Sequence, residues 1–107
     1  MDRQLQIEAF SLAAHRLAMA RLRERPEAAA EALATLQRWR SRSEGPDHCE
    51  PYWQEWERLL SGDVDALESA ITANDDHAAV LRSVSPLGRL LGAEERKRLL
   101  REARELA

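Results

Sequence analysis

Residues 3–24 read RQLQIEAFSLAAHRLAMARLRE. Leu5, Leu12 and Met19 recur every seven residues, with Leu22 beside Met19. Phe10, Ala14 and Leu17 make a second stripe, with Ile7 alongside. At helical periodicity, apolar residues on two faces describe a helix that is covered on two sides. The stretch predicts one long helix that either runs through the centre of a helical domain or turns one face to a second copy of the chain. His15 lies between the stripes and reads as a partly exposed or hydrogen-bonded histidine.

Composition extends this reading to the whole chain of 107 residues, the length of one domain. Ala and Leu supply 34 of the 47 hydrophobic residues, whereas Val and Ile together supply five. Strands favour β-branched and aromatic residues, so a sheet-dominated fold is excluded. The expectation is an all-α, single compact domain over 1–107, with five or six helices and a long first one. The segment SRSEGPDHCE, 41–50, gathers turn formers and is the predicted loop between an N-terminal helical pair and a C-terminal group.

Local signals place the other helices. Pro26 suits the first turn of a second helix, which has Glu27 and Glu31 near its start and Arg38, Arg40 and Arg42 near its end, in the order the helix dipole favours. Ala29, Leu33, Leu36 and Trp39 are its expected inward positions. Pro51 opens a third helix over 52–60 that Gly62 stops. Asp63 caps a fourth over 64–73, with Val64, Leu67 and Ile71 inward. A fifth, roughly 76–84 with Val80, Leu81 and Val84, ends at Ser85-Pro86. Residues 87–92 form a short apolar connection. A last helix runs from Ala93 to about Leu106, with Leu99, Leu100, Ala103 and Leu106 inward.

The net charge of -3 conceals three blocks. Residues 1–43 carry a net +3, residues 44–77 a net -9 and residues 78–107 a net +3. Either the basic ends pack against the acidic centre within the chain, or the acidic block meets a basic partner.

The sequence points to no catalytic chemistry and no cofactor. Asp47-His48-Cys49-Glu50 is the one cluster of metal-ligand types, but four neighbours in a loop do not converge as zinc ligands do. His48 and Cys49 are equally ill placed as a catalytic pair. Phosphate-loop, nucleophile-elbow and zinc-protease motifs are missing. One cysteine makes no internal disulfide, no apolar run reaches membrane-span length, and the start MDRQLQIEAF is not a signal peptide, so the expected location is the cytoplasm.

Two binding surfaces remain. Trp39, Trp53 and Trp56 bracket the 41–50 loop and read as a core cluster pinning the second helix to the third, or as anchors for a partner. A protein contact then comprises Trp53, Trp56, Glu55, Asp63 and Asp65. For nucleic acid the candidates are Arg38, Arg40 and Arg42, with Lys97, Arg101 and Arg104 on one stripe of the last helix. The third and fourth helices outline a helix–turn–helix, yet DVDALESAI carries three acids and no base, unlike a helix that lies against phosphates.

Several segments together carry a resemblance: Glu55-Trp56-Glu57-Arg58-Leu59-Leu60; Leu81-Arg82-Ser83-Val84-Ser85-Pro86-Leu87; Leu91 and Glu94-Glu95-Arg96; His15-Arg16; and Arg25-Pro26-Glu27 through Arg38-Trp39. They resemble small helical bacterial proteins of antitoxin or regulator type, encoded beside toxin genes. Here Ser85-Pro86-Leu87-Gly88 stands where that pattern carries an aromatic after the proline. The resemblance implies a non-enzymatic module that neutralises or regulates a partner protein, such as a toxin encoded nearby, by binding it. The alternative is a small DNA-binding regulator.

Overall fold

The first helix, α1 (Arg3–Glu24), is the axis on which the others are laid. It is followed by α2 (Ala28–Arg42), α3 (Glu50–Leu60), α4 (Val64–Ile71), α5 (Asp76–Ser83), a 3₁₀ turn (Gly88–Leu90) and α6 (Ala93–Arg104). This computed structural model describes residues 3–42 and 49–105, and among them there is no strand. Thus the chain is all-helical, as its Ala- and Leu-rich composition predicts.

Of the two placements expected for α1, the central one is seen: the helix packs against α4, α5, α6 and the 3₁₀ turn. Ala18, Met19 and Leu22 are buried on it, and with Leu36, Trp56, Leu67, Ile71, Leu81 and Leu87 they form one contiguous core. Six fully buried side chains of that size contribute on the order of 10 kcal/mol before conformational entropy is subtracted. By contrast, α2 packs mainly on α3, through Ala28, Ala32, Thr35 and Leu36. Leu5 was an expected inward position but is 54% exposed, and Ile7 is 51% exposed. Gln6 Nε2 already reaches the carbonyl of Arg104, so α6 ends where these two residues begin.

The boundaries follow the capping signals. Asp63 accepts from the Ala66 amide at 3.1 Å and starts α4, and Asp75 accepts from the Ala78 amide at 2.7 Å and starts α5. Glu95 Oε1 accepts from the Gly92 amide at 2.9 Å at the start of α6. The fourth helix stops at Ile71 rather than Ala73. The Arg82 guanidinium takes the carbonyls of Ile71 (2.8 Å) and Ala73 (3.1 Å) and closes the end of α4 from another helix. α2 begins at Ala28, two residues later than Pro26, after a turn in which Ala28 donates to the Arg25 carbonyl. α3 begins at Glu50, with Pro51 in its first turn. Leu99 and Ala103 turn inward from α6, while Leu100 is 40% exposed and Val80 on α5 is 36% exposed. Leu106 lies outside the described residues.

Candidate functional site

Most of the described carboxylates of the acidic centre are engaged within the fold. Arg23 on α1 holds Asp65 at 2.7 Å and Glu68 at 2.9 Å on α4. Arg40 on α2 holds Glu50 at 2.8 Å and Glu57 at 2.6 Å on α3. Glu55 lies 2.8 Å from His77 Nε2, and Asp63 is the cap of α4. The hydrogen bond to Glu50 is the chief reason that the Arg40 guanidinium is held even above its usual basicity.

Trp53 and Trp56, the two indoles of the predicted protein contact, face inward. Trp56 is wholly buried, and its Nε1–H donates to the Leu81 carbonyl at 2.9 Å, tying α3 to the end of α5. Trp53 is buried against Trp39, with ring centroids 6.3 Å apart, and this pair pins α2 to α3. A partner reaching either ring has to open that helix pair.

The basic residues divide differently from the sequence clusters. Arg38 and Arg42, four apart, share one side of α2, whereas Arg40 turns to α3 and its carboxylates. On their side Arg38 and Arg42 meet Arg89 from the 3₁₀ turn and Arg96 from α6, around a groove of about 520 Å³. Thr35, Trp39, Ser85, Pro86, Gly88 and Leu91 complete its walls, and among the described residues no carboxylate lines it. Arg38 donates to Thr35 Oγ1 at 3.1 Å and Arg96 to the Gly88 carbonyl at 2.9 Å. Among the described residues, none of the four arginines has a carboxylate partner, although the chain as a whole is acidic.

A smaller cavity of about 180 Å³ adjoins the groove. The two spaces share Ser85, Gly88, Leu91 and Arg96. Phe10, Ala14, Ala18 and Leu87 make the cavity mostly apolar, and His15 and Arg82 also line it. His15 Nδ1 lies 2.7 Å from the Ser11 carbonyl, so Nδ1 carries the proton and Nε2 presents a lone pair. Burial holds His15 below its ordinary value, the Ser11 bond opposes this, and the charge of Arg82 adds to the lowering. Near neutral pH the ring is therefore uncharged. His15 Nε2 and Arg82 Nε are buried with no hydrogen-bond partner. One is an acceptor and the other a donor, whereas nearly every buried polar group in a protein is normally satisfied.

The other nucleic-acid candidates lie elsewhere. Lys97 sits 3.7 Å from Glu94, and Arg101 shares an exposed face of α6 with Glu94, Glu95, Glu102 and Glu105. Arg104 is exposed at the end of α6. Asp47 and His48 of the loop cluster lie outside the described residues. Among those described, no group of three His, Cys, Asp or Glu side chains is placed to hold a metal, and no helix is long and apolar enough to cross a membrane. Arg89, Ser85 and the pairing of His15 with Arg82 are absent from the sequence-derived sites. The one local clue was that Arg38 and Arg42 have no acid three or four positions away on α2. No known protein family, curated protein or solved structure matches the chain.

Proposed function

We propose that this chain is a non-enzymatic binding module, an inhibitor or regulator of antitoxin type, which takes an acidic segment of a partner protein into the arginine groove. One observation carries the reading: among the described residues, Arg38, Arg42, Arg89 and Arg96 converge without a carboxylate, while Glu50, Glu55, Glu57, Asp65 and Glu68 of the acidic block are engaged by Arg40, His77 and Arg23. Four guanidinium groups facing one space repel one another, and an incoming carboxylate relieves that repulsion. Guanidinium also matches carboxylate geometry with two parallel hydrogen bonds. The contact thus moves from the acidic block, where the sequence suggested it, to the opposite charge sign. A protein segment suits the site better than DNA does, because a net charge of -3 opposes the long-range approach of a polyanion, whereas a short acidic segment meets only the groove.

The test is co-purification from the native host with tagged chains at several salt concentrations. A stoichiometric partner should be lost from Arg38→Glu/Arg42→Glu, retained by Glu55→Lys/Asp65→Lys, and released by high salt. Retention by the first variant and loss from the second would return the contact to the acidic block. Specific binding to the chain's own promoter, steeply salt-dependent and abolished by Arg38→Glu/Arg42→Glu, would replace this reading with the DNA-binding one.

A further inference from the structure

We infer that the anionic anchor of the acidic segment is a phosphomonoester, a phosphorylated side chain held by Arg38, Arg42, Arg89 and Arg96, an inference that rests on reading the groove as the seat of a protein segment. Charge is the first reason. A carboxylate brings one negative charge on two oxygens, and a single bidentate guanidinium matches it. Four arginines line this groove and, among the described residues, no carboxylate does. A phosphomonoester brings a charge of about −1.5 to −2 near pH 7 and three strong acceptor oxygens on one phosphorus atom. It supplies at one point what two separately placed carboxylates would otherwise have to supply.

Two of the guanidinium groups are already set against residues of the groove wall. Arg38 Nη2 donates to Thr35 Oγ1 at 3.1 Å, and Thr35 is itself fixed by donating to the Glu31 carbonyl at 3.1 Å. Arg96 Nη2 donates to the Gly88 carbonyl at 2.9 Å. Thr35 and Gly88 both line the groove. Each bond uses one of the several N–H donors of its guanidinium, and among the described residues neither group makes another hydrogen bond. The donors left over are therefore held near their place before an anion arrives, which lowers the cost of binding one.

Gly88 permits this arrangement. A β-carbon there would stand 2.7 Å from Arg96 Nη2. The φ of Gly88 lies outside the left-handed region, so alanine strains no backbone and displaces only the end of one flexible side chain. Gly88→Ala thus unseats Arg96 while the fold stands. Trp39, Pro86 and Leu91 add apolar wall beside the arginines. Free phosphate leaves that wall bare, whereas the residues on either side of a phosphorylated one cover it. The groove, at about 520 Å³, has room for both.

The experiment is a titration of the ¹⁵N-labelled full chain with acetyl-Ala-Glu-phosphoserine-Glu-Ala-amide, read from the amide shifts and from the ³¹P signal of the peptide. The comparisons are the same peptide with Glu or Ser in place of phosphoserine, inorganic phosphate, and a thymidine hexanucleotide. The phosphopeptide should shift the amides of Arg38, Gly88 and Leu91 and bind about tenfold tighter than the Glu peptide, with the Ser peptide weaker still. Gly88→Ala, with a urea midpoint close to the parent's, should weaken the phosphopeptide about tenfold, and Arg96→Gln should do the same. Equal affinity for the phosphoserine and Glu peptides overturns the phosphoryl anchor and leaves the acidic-segment reading standing, as does full phosphopeptide affinity in both variants. Inorganic phosphate bound as tightly as the phosphopeptide overturns the segment and makes the groove a site for the free ion. Shifts with the hexanucleotide and none with any peptide overturn both readings, as does silence towards every probe at millimolar concentration.

Discussion

Arg40 and its neighbours Arg38 and Arg42 belong to the same helix yet live in opposite surroundings. Arg40 is clasped by Glu50 and Glu57. Arg38 and Arg42 look into a groove with two further arginines and, among the described residues, no acid. The division continues inward. On α3, next in sequence to Glu57, the Trp56 indole is packed and its N–H is satisfied by Leu81. Behind the groove, His15 and Arg82 hold polar atoms with no partner. One side of the molecule is complete in itself, and the other lacks a carboxylate, a donor and an acceptor. This asymmetry, more than any single residue, marks the groove as the side that meets something else.

The largest test of the complete side is Trp56→Ala. Removing a wholly buried indole should cost about 3–5 kcal/mol, read as a fall in the urea midpoint. Against a total stability of about 5–15 kcal/mol, that leaves the chain marginal or unfolded. A loss below about 1 kcal/mol would mean that this side is no better packed than the groove.

Arg82→Met is the next largest. Arg82 belongs to both sides, since Nη1 closes α4 while Nε faces no partner. Two carbonyls lose a charged donor, and the expected cost is about 3 kcal/mol. If the variant is as stable as the parent, the end of α4 does not depend on the guanidinium.

His15 gives the comparison a pH signature. Burial lowers its pKa from 6.5, so the folded chain takes the proton less readily than the unfolded one. Below 6.5 the unfolded state holds more protons, and stability falls as pH drops from 6.5 towards the folded value. The His15 contribution is complete above 6.5, and its slope is at most about 1.4 kcal/mol per pH unit. Urea midpoints between pH 7.5 and 5 should therefore fall more steeply for the parent than for His15→Gln. Parallel profiles would show that His15 titrates alike in both states and is not the closed, neutral acceptor described above.

The sequence made one side of this asymmetry readable and hid the other. The span of α1, the cap at Asp63, the Ser85-Pro86 stop and the Trp39–Trp53 pin are local signals: a periodicity, a side chain beside an amide, a ring constraint, two aromatics flanking one loop. The groove is not local. It joins Arg38 and Arg42 to Arg89 and Arg96 across half the chain, and only the packing of α1 on α6 and of α2 on α3 brings them together. Arg96 and Lys97 are neighbours in sequence, but successive helical residues point about 100° apart, so Arg96 reaches the groove while Lys97 lies beside Glu94. Leu5 and Leu100 fit their apolar stripes but are exposed, because a stripe tells which face is apolar and not how far the covering helix extends.

The smallest effect is the most discriminating, because it sets Arg40 directly against Arg38 and Arg42. Arg40→Met removes a guanidinium that holds two carboxylates near the surface, and the expected loss is up to about 1 kcal/mol, shrinking as salt rises. Arg38→Gln/Arg42→Gln removes two cations that have no carboxylate partner among the described residues and share their groove with two more cations. Surface changes of that kind stay within about 0.5 kcal/mol, and here the sign should be stabilising at low salt, since repulsion with Arg89 and Arg96 is relieved. The two variants should therefore move the urea midpoint in opposite directions at low ionic strength and converge at high ionic strength. If Arg38→Gln/Arg42→Gln is the more destabilising, those arginines have carboxylate partners in solution and the groove is not a site in need of an acid. If the opposed signs are found, the chain retains two repelling arginines at the expense of its own stability, as a surface shaped for a partner does.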